Sequence, residues 1–160
     1  MKELDSYLND HLAGSVGALE LLDHWIKLYE GKPLANFFSE VRKEVHADQT
    51  RLQELMHALG TKESTVRPVA AWMAEKFSRA RFAAAGDQTG GLGIVLVLET
   101  LAMGITGKKL LWHGLAAADL PKTDNVDFVE LEKRADEQIA RVEVERMRAV
   151  REAFSSRSAK

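Results

Sequence analysis

Apolar residues recur at alternating spacings of three and four along the chain, a pattern typical of helices that bury one face. The first such stretch predicts a helix from about Asp5 to Glu30, with the core stripe Leu8, Leu12, Ser15, Leu19, Leu22, Ile26 and Tyr29. Gly31 and Pro33 then break the pattern, since glycine suits a left-handed cap and proline the first turn of a following helix. The next stripe consists of Leu34, Phe38, Val41, Val45, Asp48, Leu52, Leu55 and Leu59, and Gly60 is the predicted cap at its end. The short turn between the two predicts antiparallel neighbours.

Two more long helices are predicted in the second half of the chain. Residues from Leu92 to Leu115 are apolar almost all the way round except for Glu99 and the pair Lys108 and Lys109, so this helix must be covered on several sides. The last helix runs from Val126 to about Phe154, and its apolar face consists of Phe128, Leu131, Ala135, Gln138, Val142 and Ala149. No alternation of period two suggests a strand, so the expected fold class is all-α.

An additional, shorter helix is predicted between Ser64 and Ala85, with Trp72 and Phe77 on its apolar face. A helix of roughly 22 residues travels most of the length of its longer neighbours, at about 1.5 Å per residue. The segment is therefore predicted to cross over and to make the following helix run parallel to the second helix. We expect residues 1–160 to form one four-helix bundle, with a polar tail from about residue 155.

Composition narrows the class of protein. The chain has 160 residues, 46% of them hydrophobic and 29% charged, with only 3 prolines, which is typical of one soluble globular domain. The net charge of −2 provides no basic surface, so neither nucleic acid nor a membrane is an expected partner. The absence of cysteine excludes disulfides and thiolate metal sites and fits a reducing compartment. The longest apolar run, Ile94–Leu98, is far shorter than a membrane span, and the expected location is the cytoplasm.

A single polar residue interrupts each predicted core stripe near its centre. These residues are Ser15, Asp48, Glu99 and Gln138, and the expected helix directions bring them near one level of the bundle. A buried carboxylate costs several kcal/mol unless it is paired, protonated or bound to a metal. The pattern therefore leaves two interpretations open: a hydrogen-bonded network that fixes the helix register, or a metal site.

Three short segments resemble parts of bacterioferritins. The segment from Leu8 to Leu12 resembles the start of their first helix, the segment from His46 to Asp48 their second-helix ligand region, and Leu98 with Glu99 their third-helix ligand. With the order of helix pair, crossover and helix pair, nearly the whole chain resembles the ferritin-like superfamily. The resemblance implies a di-iron site with a Glu from each of two helices and a Glu-x-x-His from each of the other two.

The resemblance also implies that half of these ligands are missing. The first-helix position holds Ser15, the second-helix pair Lys43 and His46, the third-helix position Glu99, and the fourth-helix pair Glu137 and Ala140. Helical spacing moreover turns His46 outward and Asp48 inward. We therefore expect a degenerate site without ferroxidase activity, in which Fe, Mn or Zn would bind only if Asp48 and Glu99 combined with Gln138, His11 or Glu137.

Three classes of function follow from these observations: a ferritin-like protein that acts by binding or assembly, a metal-binding protein with an atypical carboxylate site, and an unrelated helical interaction module. No nucleophile elbow, catalytic triad or phosphate-binding loop assigns an enzymatic activity. Leu21, Trp25 and Leu28 form a second apolar stripe on the first helix, which needs cover from the crossover or from a second subunit. Together with the third long helix, this stripe predicts a homodimer.

Overall fold

The structure, a computed structural model, describes residues 2–62 and 91–155. Four α-helices account for nearly all of these residues: α1 (Lys2–Leu28), α2 (Pro33–Leu59), α3 (Gly91–Ala117) and α4 (Phe128–Ser155). The described residues contain no β-strand, which confirms the predicted all-α class. None of the four helices combines the length and apolar character that a membrane crossing requires. The predicted crossover helix between Ser64 and Ala85, and the tail beyond Ser155, lie outside the described residues.

The four helices fall into two compact units, one containing α1 and α2 and the other α3 and α4. In each unit the two helices are antiparallel. Residues further along the first helix form hydrogen bonds with residues nearer the start of the second. Ser15 bonds Gln49 and Asp23 bonds Arg42 in the first unit. We call the two units the first and the second hairpin.

The turn of the first hairpin follows from glycine and proline. Gly31 has a φ of 79°, and Pro33 is the first residue of α2, where its missing N–H costs no hydrogen bond. The amide of Lys32 donates to the carbonyl of Tyr29 at 3.0 Å, which closes the turn. As a result α1 ends at Leu28, two residues before the predicted end.

A left-handed glycine also ends α2. Gly60 has a φ of 75°, its amide donates to the carbonyl of His57 at 3.1 Å, and the amide of Thr61 donates to Met56 at 2.9 Å. This pair of bonds is the Schellman motif, which satisfies carbonyls that the end of a helix leaves without partners. The sequence predicted this cap correctly.

The start of α4 differs from the prediction by two residues. The side chain of Asp127 accepts a hydrogen bond from the amide of Glu130 at 2.9 Å, which makes Asp127 the N-cap. The helix therefore begins at Phe128 and not at Val126.

The predicted apolar faces of α2 and α4 are the buried ones. The residues of these faces that are fully buried are Phe38, Val41, Val45, Asp48, Leu52 and Leu55 in α2 and Leu131, Ala135, Gln138, Val142 and Ala149 in α4. Bulky aromatic side chains fill the hairpin ends near the connections: the ring of Trp25 lies 5.3 Å from that of Phe38, and Trp112 lies 6.5 Å from Phe128.

The two hairpins repeat one burial pattern at a spacing of 90 residues, the difference between positions 131 and 41. From Val41 to Thr50 and from Leu131 to Ala140, the order of buried, half-buried and exposed residues is the same at all ten positions. The buried residues Leu21, Leu22 and Trp25 likewise correspond to Leu111, Trp112 and Leu115. Asp48 and Gln138 therefore occupy equivalent positions in their hairpins.

Candidate functional site

The four polar residues predicted to interrupt the core differ in how deeply they lie. Asp48 is 4% exposed and Gln138 is 2% exposed, as the helical spacing indicated. Ser15 is half-buried. Glu99 departs from the expectation, because its side chain is 45% exposed and lies at the margin of the buried face of α3. Of these four predicted residues, the two that are buried are thus a carboxylate and an amide.

Ser15 joins the two helices of the first hairpin. Its hydroxyl donates to the carbonyl of Leu12 at 2.6 Å and accepts a hydrogen bond from the side-chain amide of Gln49 at 2.9 Å. The hydroxyl therefore donates its proton to a carbonyl of α1 and accepts a hydrogen bond from a side chain of α2. At the position where the ferritin-like pattern has a metal-binding Glu, this chain has a neutral link between helices.

Gln138 is bonded to a cation. The ammonium of Lys108 on α3 donates to its side-chain oxygen Oε1. A hydrogen bond with a charged donor is stronger than a neutral one, and a buried amide oxygen needs a donor to offset its lost hydration. The buried polar position of the second hairpin is consequently held beside a positive charge.

Glu99 belongs to an ion-pair cluster with Arg146 and Glu143 of α4. Nη1 of Arg146 lies 3.5 Å from Oε1 of Glu99, while Nε and Nη2 each lie 2.7 Å from a carboxylate oxygen of Glu143. The hydrogen bonds between Arg146 and Glu143 lower the pKa of Glu143 and raise the pKa of Arg146, and Glu99 raises it further. Glu143 and Arg146 therefore carry their charges at neutral pH.

The remaining residues that the resemblance implies as ligands lie on outer surfaces. His46 and Lys43 are exposed on α2. Glu137 on α4 is also exposed, and its nearest cation is Lys133, with the charged atoms 3.9 Å apart. Within residues 2–62 and 91–155, no three histidine, aspartate or glutamate side chains converge where a metal ion would fit.

A second polar cluster joins the start of α1 to the residues after α2, and no local sequence pattern predicts it. The side-chain amide of Asn9 donates to the carbonyl of Asp5 at 2.8 Å and to that of Lys62 at 3.1 Å. The hydroxyl of Thr61 donates to the carboxylate of Asp5 at 2.7 Å. Asn9 and Thr61 are both buried, so these bonds fix the direction in which the chain leaves α2.

Burial changes the chemistry of one residue beside this cluster. His11 is half-buried, and its ring packs edge-on against Tyr7 with the ring centroids 4.7 Å apart. Desolvation lowers the pKa of His11, and the nearby charge of Asp10 opposes this only in part. His11 is therefore held in its neutral form to a lower pH than a solvated histidine.

The second apolar stripe of α1 is mostly covered within a single chain. Leu21 and Trp25 are buried, and only Leu28 of the predicted three is exposed. This stripe therefore offers little surface to a second subunit.

No family model matches the chain, and comparison with curated proteins and with solved structures finds none that is similar.

Proposed function

We propose that this chain is a ferritin-like helical protein that acts through binding or assembly, with the position of the family's metal centre converted to fixed protein charges and hydrogen bonds. The observation that carries the proposal is the pairing of Glu99 with Arg146. Glu99 matches the third-helix metal-binding Glu of the ferritin-like pattern, and its carboxylate is paired with the guanidinium of Arg146.

Basic side chains lie at both of these predicted polar positions of the second hairpin. Arg146 faces Glu99, and Lys108 donates to Gln138. Two like charges about 4 Å apart repel by roughly 4 kcal/mol in a partly buried environment, so a divalent ion beside either group would first have to displace it. The charges of the second hairpin therefore favour a role in binding or assembly over a role in metal binding.

The alternative proposal is a metal-binding protein with an atypical carboxylate site. The near-complete burial of Asp48 favours it, because carboxylate oxygens are common metal ligands and a metal ion is one of the groups that can compensate a buried charge. This interpretation requires Asp48 to bind the ion together with further oxygen or nitrogen ligands.

Metal content distinguishes the two proposals. The full chain is purified without chelator as the wild type, Asp48→Asn and Glu99→Gln, and Fe, Mn and Zn are measured by mass spectrometry. Glu130→Gln serves as the control, since it removes a carboxylate that is exposed on α4. If the protein acts through binding or assembly without a metal, we expect only trace metal in all four proteins. One metal ion per chain in the wild type that disappears in Asp48→Asn or Glu99→Gln, but not in Glu130→Gln, would establish the alternative.

A further inference from the structure

An exposed apolar stripe runs along α3 on the side away from its buried residues. Its large members are Leu92, Leu96, Met103 and Leu110, all of them exposed. Their spacings of four and seven residues place them on one face of the helix. Thr100 and Gly107 lie between them on the same face, and Gly114 follows Leu110 one turn later. We call these seven residues the α3 stripe.

The acidic and basic side chains of α3 and its histidine contact α4 and do not interrupt the stripe. Lys109 lies 2.7 Å from Asp136, His113 lies 3.1 Å from Glu132, and Glu99 and Lys108 bond Arg146 and Gln138. Only Glu99 reaches the margin of the stripe. Covering the stripe would therefore bury apolar surface without stripping water from an uncompensated charge.

We propose that the α3 stripe is the contact surface between two copies of this chain, which pack α3 against α3 in antiparallel orientation about a two-fold axis level with Ile105. The proposal rests on the proposed function and specifies its mode of assembly. A second copy fits the stripe because the stripe is complementary to itself.

Large and small residues alternate so that this axis pairs one with the other. Met103 then lies opposite Gly107 of the second copy, Leu110 opposite Thr100, and Leu96 opposite Gly114. A side chain added at Gly107 would meet no atom within 4 Å, so the surface is open where Met103 would pack. A parallel pair would instead oppose Met103 to Met103 and glycine to glycine, which leaves gaps between the helices.

A membrane surface is the less favourable occupant of the stripe. Helices that lie on membranes carry lysine and arginine side chains free to reach anionic headgroups. In α3 the two lysines bond Gln138 and Asp136, and the chain has a net charge of −2. The pattern of small and large residues also has no role against fluid lipid chains, whereas it decides the fit of two helices.

Sedimentation velocity of the full chain at micromolar concentrations tests the surface. The wild type is expected to sediment as a dimer of 17.8 kDa chains. Leu110→Lys, at a side chain 60% exposed, is expected to raise the dimer dissociation constant by about 30-fold or more, the effect of losing a central contact. Val144→Lys on α4 is the matched control, at 62% exposed, and is expected to leave the constant unchanged. Circular dichroism checks that both variants remain helical.

Cross-linking tests the orientation, since the chain has no cysteine of its own. Met103→Cys and Gly107→Cys chains are mixed and treated with a short bismaleimide. The antiparallel pair predicts that the mixed product forms faster than either product of one variant with itself. Faster reaction of each variant with itself would overturn the proposed orientation.

Other outcomes separate this inference from the proposed function. A monomeric wild type, or a dimer that Leu110→Lys leaves intact, overturns the α3 stripe as the interface. The wild type could also sediment with vesicles of phosphatidylcholine and phosphatidylglycerol. If Leu110→Lys abolished this binding, the stripe would be a membrane-binding surface, and the proposed dimer interface would be overturned. Stoichiometric metal would overturn the proposed function whatever the state of the dimer.

Discussion

Lys108 donates a hydrogen bond from its ammonium to the side-chain oxygen of Gln138, which is among the least exposed side chains of the described chain. The neighbouring Lys109 lies 2.7 Å from Asp136, but that carboxylate is largely in water. Two adjacent lysines of α3 thus make similar bonds to α4 at very different depths.

This difference predicts unequal effects of the same substitution. Lys108→Met is expected to destabilise the protein by about 1–3 kcal/mol, because it removes a charged donor from a buried oxygen. Lys109→Met is expected to cost less than about 1 kcal/mol, since exposed ion pairs contribute little. Urea denaturation of both variants measures the difference. Equal losses would show that the depth of Gln138 does not govern the strength of the bond.

The ion pair between Arg42 and Asp23 predicts that part of the protein's stability is lost at acidic pH. The hydrogen bonds from Arg42 hold the pKa of Asp23 below its usual 3.8 in the folded state, so the pair stabilises above that pH and loses its effect as the pH falls through the lowered value. Both side chains are more than a third exposed, which limits the gain to less than about 1 kcal/mol. Arg42→Met should therefore be less stable than the wild type at pH 7 and nearly equal to it near pH 2. Arg51→Met, at an ion pair more exposed than this one, should differ little at either pH.

His11 predicts a loss of stability in a milder range. Since burial lowers its pKa in the folded state, the unfolded chain binds a proton more readily once the pH falls below 6.5. Stability due to neutral His11 is complete above that value and declines toward the lowered pKa. His11→Phe keeps a ring against Tyr7 and removes the titration, so its stability should fall less between about pH 7.5 and pH 5. His46→Asn, at an exposed site, should retain the decline of the wild type.

Two glycines predict opposite effects of substitution by alanine. Gly60 has a left-handed backbone, and Gly60→Ala is expected to cost about 1 kcal/mol. Gly104 lies inside α3 with space for an added methyl group, so Gly104→Ala is expected to stabilise by about 0.5–1 kcal/mol. Thermal unfolding of both variants measures these effects, and we expect a lower melting temperature for Gly60→Ala and a higher one for Gly104→Ala. A gain in stability for Gly60→Ala would contradict the assigned role of the cap.

The sequence predicted the helices with one clear face better than the others. In α2 the apolar spacing located Asp48 among the buried residues, because a polar opposite face fixes the rotation of the helix. In α3 apolar residues surround the helix, so the pattern gives no rotation, and the exposure of Glu99 was not predictable from it. The partner of Glu99 is Arg146, 47 residues further along the chain, and such a pairing has no local sequence signal. The cap at Asp127 was missed because several polar residues precede it and only its geometry singles it out.

The repeated burial pattern has a consequence for which substitutions the two hairpins can accommodate. Across the ten positions that match between α2 and α4, only Lys43 and Lys133 are the same residue. The hairpins therefore share a structural template while having almost no sequence in common. The same burial order therefore accommodates different side chains at nearly every position, as long as the buried ones remain apolar around one central polar residue.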